Sequence, residues 1–145
     1  MGPIVTLKDF LACFPYDDII SRYEIKGSTL IRIFEHILRP ENRSGEGECY
    51  QVNSQVKAFY SDKEKKLESL YINGQKVNKK AFYKIAMQNY YFSNSDTYLN
   101  VGNEELFASG KQKVVTSSAA QEVLEEFLRN NHNITRKIEG RLVFK

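Results

Sequence analysis

The sequence predicts an α+β domain in which a mixed sheet packs against about three helices. Three stretches carry apolar residues at helical spacing, and runs of β-branched and aromatic residues lie between them. These elements do not alternate as strand–helix–strand units, which favours α+β over α/β. The 145 residues are enough for one domain with a substantial core. We therefore interpret 1–5 as an N-terminal tail and 6–145 as a single domain.

The first two predicted helices begin at recognisable caps. Thr6, with Asp9 three residues later, opens a helix that runs to about Phe14 and ends before Pro15. Ser28 is predicted to cap a second helix over Thr29–Leu38. The apolar residues of the first helix fall on one face: Leu7, Phe10, Leu11 and Phe14. Those of the second form a longer stripe: Leu30, Ile33, Phe34, Ile37 and Leu38.

A third helix is predicted near the end of the chain. Ser118-Ala119-Ala120-Gln121 has the capping-box pattern, and the helix is expected to reach about Asn130. Its apolar residues are expected to face inward: Val123, Leu124, Phe127 and Leu128.

Strands are expected between the helices. The predicted ranges are Ile19–Ile25, Tyr50–Val52, Gln55–Tyr60, Leu67–Ile72, Gln75–Val77 and a long central strand Phe82–Tyr91. Asn73-Gly74 predicts a type I′ hairpin turn. The long strand is expected to end in a Ser93–Asp96 turn, and the chain is expected to close in a hairpin-like Ile134–Phe144 around Gly140. We interpret Pro40–Glu48 as a loop and Asn100–Lys113 as a polar connection.

Composition excludes several classes of protein. No apolar run reaches 18 residues, so we expect no membrane span, and the N-terminus lacks the pattern of a signal peptide. The abrupt start suggests an excised domain with Met1-Gly2 left by cloning. The net charge is only +3, but lysines and aromatics interleave between Lys57 and Lys84, which leaves open a single-stranded nucleic-acid surface. We favour a solvated lysine face there, and expect no nucleic-acid partner.

The chain shows no autonomous active site. Its two histidines, His36 and His132, do not fall in a metal-binding spacing, and neither a nucleophile elbow nor a phosphate loop is present. Cys13 is expected to be a small buried residue, and a bridge to Cys49 stays open. We therefore expect neither independent catalysis nor a cofactor in this chain.

Four ordered motifs carry a resemblance to a known family. They are Pro15-Tyr16, Gly27-Ser28-Thr29-Leu30, the run from Asn89-Tyr90 through Ser93-Asn94-Ser95-Asp96-Thr97-Tyr98, and Gly140-Arg141. Together, from about Thr6 to Phe144, they resemble the C-terminal, substrate-binding domain of the 5'-nucleotidase / 2',3'-cyclic phosphodiesterase family. Asn94-Ser95 stands where the family has Gly-Gly, and the family's Asn-Gly-Gly-x-Arg segment is absent.

The resemblance implies specific roles for three residues. Tyr16 and Tyr90 would stack on the two faces of a nucleobase, and Asp96 would accept hydrogen bonds from the ribose hydroxyls. Base–aromatic stacking and charge-assisted bonds suit a nucleoside. Alternatives remain for each residue: Tyr16 as a half-buried staple, Tyr90 as a cross-strand aromatic, and Asp96 as an Asx-turn residue.

The resemblance also implies partners and a location. A separate metallophosphoesterase domain, holding two divalent metals, would hydrolyse the phosphate ester of the nucleotide whose nucleoside this domain binds. The family further implies a periplasmic or extracellular protein. Two alternatives stay open besides the nucleic-acid surface: a non-catalytic stand-alone module that docks onto a phosphoesterase subunit, and a structural interaction domain without a ligand.

Overall fold

A computed structural model describes residues 4–44, 50–111, 113–117, 119–135 and 137–145. Within these ranges it has seven helical segments and seven strands. The helices are α1 Leu7–Cys13, α2 Gly27–Ile37, α3 Pro40–Ser44, α4 Asn89–Ser93, α5 Ser95–Tyr98, α6 Asn103–Leu106 and α7 Ala120–Asn130. The strands are β1 Ile20–Lys26, β2 Val56–Ser61, β3 Lys66–Ile72, β4 Gln75–Lys76, β5 Phe82–Gln88, β6 Val114–Ser117 and β7 Leu142–Phe144.

The strands form two sheets, and the predicted α+β class is confirmed. One sheet is antiparallel with the order β5-β1-β6, and the other is mixed with the order β4-β3-β2-β7. The three predicted helices correspond to the three longest observed ones, α1, α2 and α7. No helix of the described ranges is both long and apolar enough to cross a membrane.

Helix α2 joins the two sheets into one core. All five residues of its predicted stripe are buried. They pack with Tyr23 and Ile25 from the first sheet and with Tyr60 and Leu70 from the second. Because a single cluster spans both sheets, neither sheet has an apolar core of its own.

The close approach of α2 to a neighbouring loop depends on Gly27. This residue begins α2 with Lys26 as its N-cap, and the predicted Ser28 cap is wrong because no side chain caps this helix end. Instead, the Gly27 amide donates to the Ala81 carbonyl at 2.8 Å, and the Ser28 amide donates to the Lys79 carbonyl at 3.0 Å. A Cβ on Gly27 would lie 2.1 Å from the Asn78 carbonyl oxygen, so only glycine fits here.

Two local predictions are confirmed by backbone geometry. Thr6 and Asp9 form the predicted capping box at the start of α1. Asn73 and Gly74 both have positive φ, 51° and 75°, as a type I′ turn requires.

Other local predictions are wrong. Tyr50–Val52 forms no strand, and Pro40–Ser44 is a short helix where a loop is expected. The rest of that predicted loop, up to 48, lies outside the described residues, as do Cys49 and Ser118. The expected closing hairpin is wrong, because among the described residues of 134–144 only Leu142–Phe144 forms a strand, and it pairs in parallel with β2. Strand β6, which pairs with β1, lies just beyond the predicted polar connection.

Burial corrects two further predictions. Cys13 is exposed rather than buried. The apolar side of α7 is partly exposed rather than turned inward, with Val123, Leu124, Phe127 and Leu128 all 36–47% exposed. In both cases the helical spacing is right, but no element of the described ranges covers the face that the spacing defines.

Candidate functional site

The register of the first sheet brings the two predicted clamp tyrosines to the same sheet edge. Ile20, the first residue of β1, pairs with Gln88, the last residue of β5. Tyr16 precedes β1 by four residues, and Tyr90 follows β5 by two. The antiparallel pairing therefore places both segments at one end of the sheet, although 74 positions separate them in the sequence.

Asp18 joins these two segments directly. Its Oδ2 accepts a hydrogen bond from the Tyr90 backbone amide at 2.7 Å, and the Ile19 carbonyl accepts one from Asn89 at 2.9 Å. Asn89 and Tyr90 are the first two residues of α4, whose amides have no partner within the helix. The carboxylate therefore satisfies an α4 amide and fixes the Tyr16–Asp18 segment against the helix that carries Tyr90.

Asp17 makes the equivalent contact with α7. Its Oδ1 accepts from the Gln121 amide at 2.9 Å, near a helix start whose N-cap, Ala119, makes no side-chain cap bond. The Gln121 side chain in turn donates to the Phe14 carbonyl at 2.8 Å. Pro15-Tyr16 thus lies in a segment that is hydrogen-bonded on both of its flanks.

Both tyrosine rings are accessible. Tyr16 is 82% exposed and Tyr90 is 46% exposed. The exposure of Tyr16 is too high for the alternative in which this residue is a half-buried staple. The long central strand is predicted to include Tyr90, which is wrong: the strand ends at Gln88, and Tyr90 belongs to α4. Asp18, next to the start of β1, accepts from the Tyr90 amide and so caps the first turn of α4.

Tyr98 is an aromatic partner of Tyr90. Their ring centroids are 5.3 Å apart, and their hydroxyl oxygens lie 2.7 Å apart. The Tyr50 hydroxyl donates to the Tyr98 carbonyl at 3.2 Å, and the Tyr50 and Tyr91 rings are in contact. One side of Tyr90 is therefore supported by a packed aromatic group.

Asp96 lies in the wall of a cavity at the start of α5. Asp96 is exposed on α5 and lines a cavity of about 360 Å³ with Arg32, Asn100 and Glu105 among its other residues. Neither Tyr16 nor Tyr90 lines this cavity. The expected Ser93–Asp96 turn is also wrong, since the α4 and α5 helical segments meet there at Asn94.

Arg32 determines the electrostatics of this cavity. Its guanidinium donates to the Glu105 carboxylate and, through Nε, to the Asn100 carbonyl at 3.2 Å. The hydrogen bond from Arg32 lowers the pKa of Glu105, so the pair stays charged near neutral pH. Asp96 therefore faces a cavity in which a cation and a carboxylate are already paired.

The Asn94-Ser95 replacement of the family's glycines has a structural basis. Asn94 has a φ of −122°, and Ser95 is not among the residues with positive φ. The Ser95 side chain is buried, with its Oγ 2.9 Å from the Val101 carbonyl and 2.8 Å from Asn103 Oδ1. The junction between α4 and α5 therefore does not need glycine.

Sequence reasoning missed three supporting residues: Asp17, Asp18 and Tyr98. The only sequence feature that could have indicated the two aspartates is their position directly before a strand. The helix ends that they cap lie 72 residues from Asp18 and 104 residues from Asp17. His36 Nε2 lies 3.2 Å from the Thr97 carbonyl oxygen. Within the described ranges, no group of three or more His, Cys, Asp or Glu side chains could hold a metal ion.

The predicted basic and aromatic stretch is divided between two sheets. Lys57, Lys66 and Lys76 lie on the four-stranded sheet, whereas Lys84 lies on β5 of the other and pairs in register with Glu24. Lys66 also forms an ion pair with Glu64 at 2.6 Å. The lysines therefore do not follow one continuous strand surface.

Comparison with solved structures shows the same fold in larger proteins. A 5'-nucleotidase precursor from Thermus thermophilus matches with a TM-score of 0.78 and 14% identity, over 97% of this chain and 28% of that one. An NAD nucleotidase from Haemophilus influenzae matches with a TM-score of 0.68 and 17% identity, over 91% of this chain and 26% of that one. A putative 5'-nucleotidase from Staphylococcus aureus matches with a TM-score of 0.62 and 17% identity, over 97% of this chain and 30% of that one.

The chain thus spans about three tenths or less of the length of these structural relatives. A search of curated protein sequences finds no match. The family described as "5'-nucleotidase, C-terminal domain" matches residues 2–102, which is more than half of the chain and includes the two tyrosines and Asp96. The chain belongs to the 5'-nucleotidase C-terminal domain family.

Proposed function

We propose that this domain binds the nucleoside part of a nucleotide, with the base stacked between Tyr16 and Tyr90. The observation that carries the proposal is the 2.7 Å hydrogen bond from the Tyr90 amide to Asp18. It holds the segment bearing one exposed ring against the helix bearing the other. Base–aromatic stacking contributes about 1–3 kcal/mol per base and tolerates every base identity.

Asp96 is the proposed partner of the ribose hydroxyls. Its carboxylate is exposed, and it lies within one helical turn of Tyr98, which contacts Tyr90. A nucleoside that reaches from the tyrosines toward α5 would meet this carboxylate, and two sugar hydroxyls can donate to its oxygens.

The phosphate chemistry is proposed to lie outside this chain. The described residues offer no cluster of metal ligands, and the structural relatives are more than three times as long as the part that matches. A metallophosphoesterase domain, on the same polypeptide or a separate subunit, would bind two divalent metals and hydrolyse nucleotides. The family resemblance supports a periplasmic or secreted setting.

An NMR titration of the labelled chain tests the clamp. We expect adenosine and cytidine to give saturable shifts at the amides around Tyr16 and Tyr90, and ribose alone to give none. Tyr16→Ala and Tyr90→Ala should each weaken binding by roughly 5- to 100-fold, which corresponds to the loss of one stacking contact.

Phe82→Ala is the matched control for this titration. Phe82 is as exposed as Tyr90, at 45%, but pairs with Lys26 at the opposite end of β1. Its removal should leave nucleoside binding unchanged. The clamp is wrong if Tyr16→Ala and Tyr90→Ala bind adenosine as the parent chain does.

A further inference from the structure

The outer face of the four-stranded sheet carries a row of three residues that crosses three strands. Tyr71 on β3 pairs in register with Lys57 on β2 and with Lys76 on β4. Residues that lie directly opposite each other in a sheet point to the same face. The row therefore places one aromatic ring between two lysines, and we call it the Lys57–Tyr71–Lys76 row.

The row lies on the side of the sheet that faces away from the core. Ala58 on β2 and Leu70 on β3 are buried and belong to the core cluster. Lys57 and Tyr71 alternate with them along the strands, and so lie on the opposite face. Neither Phe59 nor Tyr71 is among the described residues that pack against the core cluster. Their rings are therefore available on the outer face.

Phe59 supports the Tyr71 ring from the neighbouring strand. The two ring centroids are 6.2 Å apart and the rings are nearly perpendicular, at 84°, which is a favourable edge-to-face arrangement. The Lys57 and Lys145 ammonium groups lie 5.4 and 5.3 Å from the Phe59 centroid, and Lys145 also pairs with Glu68 at 3.0 Å. Because neighbours already hold Tyr71, little entropy is lost when a flat group stacks on its ring.

A groove of about 450 Å³ follows this face. Lys57, Phe59 and Tyr71 line it, together with Gly74 of the hairpin turn and with Arg141 just before β7. Its volume falls in the range typical of small-molecule sites. The groove can therefore hold one nucleotide unit beside the Tyr71 ring.

The charge of this face is positive on both sides of Tyr71. Lys57 and Lys76 are exposed, and within the described residues neither has an ion-pair partner. Arg141 in the groove is already paired with Glu139 at 2.7 Å. Uncompensated positive charge thus flanks the ring at two points, which favours a ligand with more than one anionic group.

A single strand of nucleic acid has this pattern of groups. Each internal base has a phosphate on either side, whereas a mononucleotide has its phosphate on one side only. Adjacent strands of a sheet are about 4.8 Å apart, so the backbones of Lys57 and Lys76 lie about 10 Å apart across Tyr71. The flexible stem of each lysine lets its ammonium group approach a phosphate from either side.

We propose that the outer face of the four-stranded sheet binds single-stranded nucleic acid. A base stacks on Tyr71, and the phosphates on its two sides pair with Lys57 and Lys76. Stacking and backbone charge tolerate every base, so the binding does not depend on sequence. The sequence alone favours a solvated lysine face here, because only strand register aligns these three residues. This site does not depend on the nucleoside clamp.

An NMR titration of the labelled 145-residue chain with a thymidine octamer tests the proposal. We expect saturable shifts at the amides of Lys57, Tyr71 and Lys76, with a Kd of about 10–100 µM at about 50 mM salt. Each phosphate contact of a single strand contributes about −0.7 to the slope of log affinity against log salt concentration. Two contacts should therefore weaken binding about sevenfold between about 50 and 200 mM salt.

Two competitors separate the parts of the ligand. Thymidine monophosphate carries a base with one phosphate, and an octamer of glutamate carries charge without bases. Each should displace the thymidine octamer at least about tenfold less effectively than an unlabelled octamer does. Equal competition by the monophosphate would exclude a strand, and equal competition by the glutamate octamer would exclude base stacking.

Three variants test the row, and two others are controls. Lys57→Met and Lys76→Met should each weaken binding and reduce the salt slope by about 0.7. Tyr71→Leu should weaken binding roughly fivefold or more and leave the salt slope unchanged. Lys84→Met, on β5 of the other sheet, and Tyr16→Ala should both bind as the parent chain does. If Tyr71→Leu does not fold, the two lysine variants decide.

Three further results would overturn the proposal. One is the absence of saturable shifts at about 1 mM octamer, where a Kd of about 100 µM gives nearly complete binding. Another is the loss of octamer binding in Tyr16→Ala, which would place the strand at the nucleoside clamp. The third is an unchanged affinity and salt slope in both Lys57→Met and Lys76→Met.

Discussion

At the scale of single residues, Gly27 shows how one position can depend on a distant loop. The motif that contains Gly27 predicts the start of a helix, and the structure gives the reason for glycine as the close Asn78 carbonyl. Gly27→Ala should lower the free energy of unfolding by roughly 1–3 kcal/mol, because the added methyl group displaces backbone. Urea denaturation followed by far-UV circular dichroism measures this change.

Ser28→Ala is the neighbouring control for Gly27. Ser28 is exposed, and its side chain makes no cap bond, so its replacement should change the free energy of unfolding by less than about 0.5 kcal/mol. A loss of about 1 kcal/mol, typical of a removed N-cap, would contradict the observed helix start.

At the scale of elements, the two adjacent aspartates cap two different helices. Asp17 supplies the acceptor for α7, whose N-cap Ala119 makes no side-chain cap bond. Asp17→Ala should destabilise α7 by about 1 kcal/mol, since a cap and a favourable charge at a helix N-terminus are lost together. Hydrogen exchange should then show faster exchange of α7 amides and unchanged exchange in α2.

Asp17→Asn separates the cap from the charge. Asparagine keeps an acceptor oxygen, so most α7 protection should return. Equal acceleration of exchange in α2 and α7 after Asp17→Ala would mean that the residue supports the whole fold, and the local capping role would be wrong.

At the scale of the whole molecule, stability should depend on pH through His36. Burial, with a smaller contribution from the Arg39 guanidinium, lowers the pKa of His36 below its usual 6.5. As pH falls past that value, the unfolded chain binds a proton before the folded one does. Stability should therefore be highest above about pH 6.5 and decline as the pH falls toward the folded pKa of His36.

His36→Gln tests this pH dependence. The free energy of unfolding is measured between about pH 5 and pH 7, a window above the ordinary pKa values of aspartate and glutamate. Arg39, which lies 3.1 Å from the ring, stays charged throughout. The decline should be smaller in His36→Gln than in the parent chain, and equal declines would exclude His36 as its source.

Much of the local structure and the resemblance itself could be predicted from the sequence. Helical spacing and the Asn73-Gly74 pair depend on near neighbours, so the α2 stripe, the α1 cap and the hairpin turn are all confirmed. The family resemblance, carried by ordered motifs, identifies Tyr16, Tyr90 and Asp96 as candidates, and their roles stay predictions.

Only the tertiary structure decided how those local features are covered and joined. Asp18 caps a helix 72 residues away because β1 and β5 pair in register. The apolar residues of α7 are exposed because none of the elements in the described part of the chain covers them. The parallel pairing of β7 with β2 arises in the same way. Propensity acts over a few residues, whereas pairing and burial depend on segments that only the folded chain brings together.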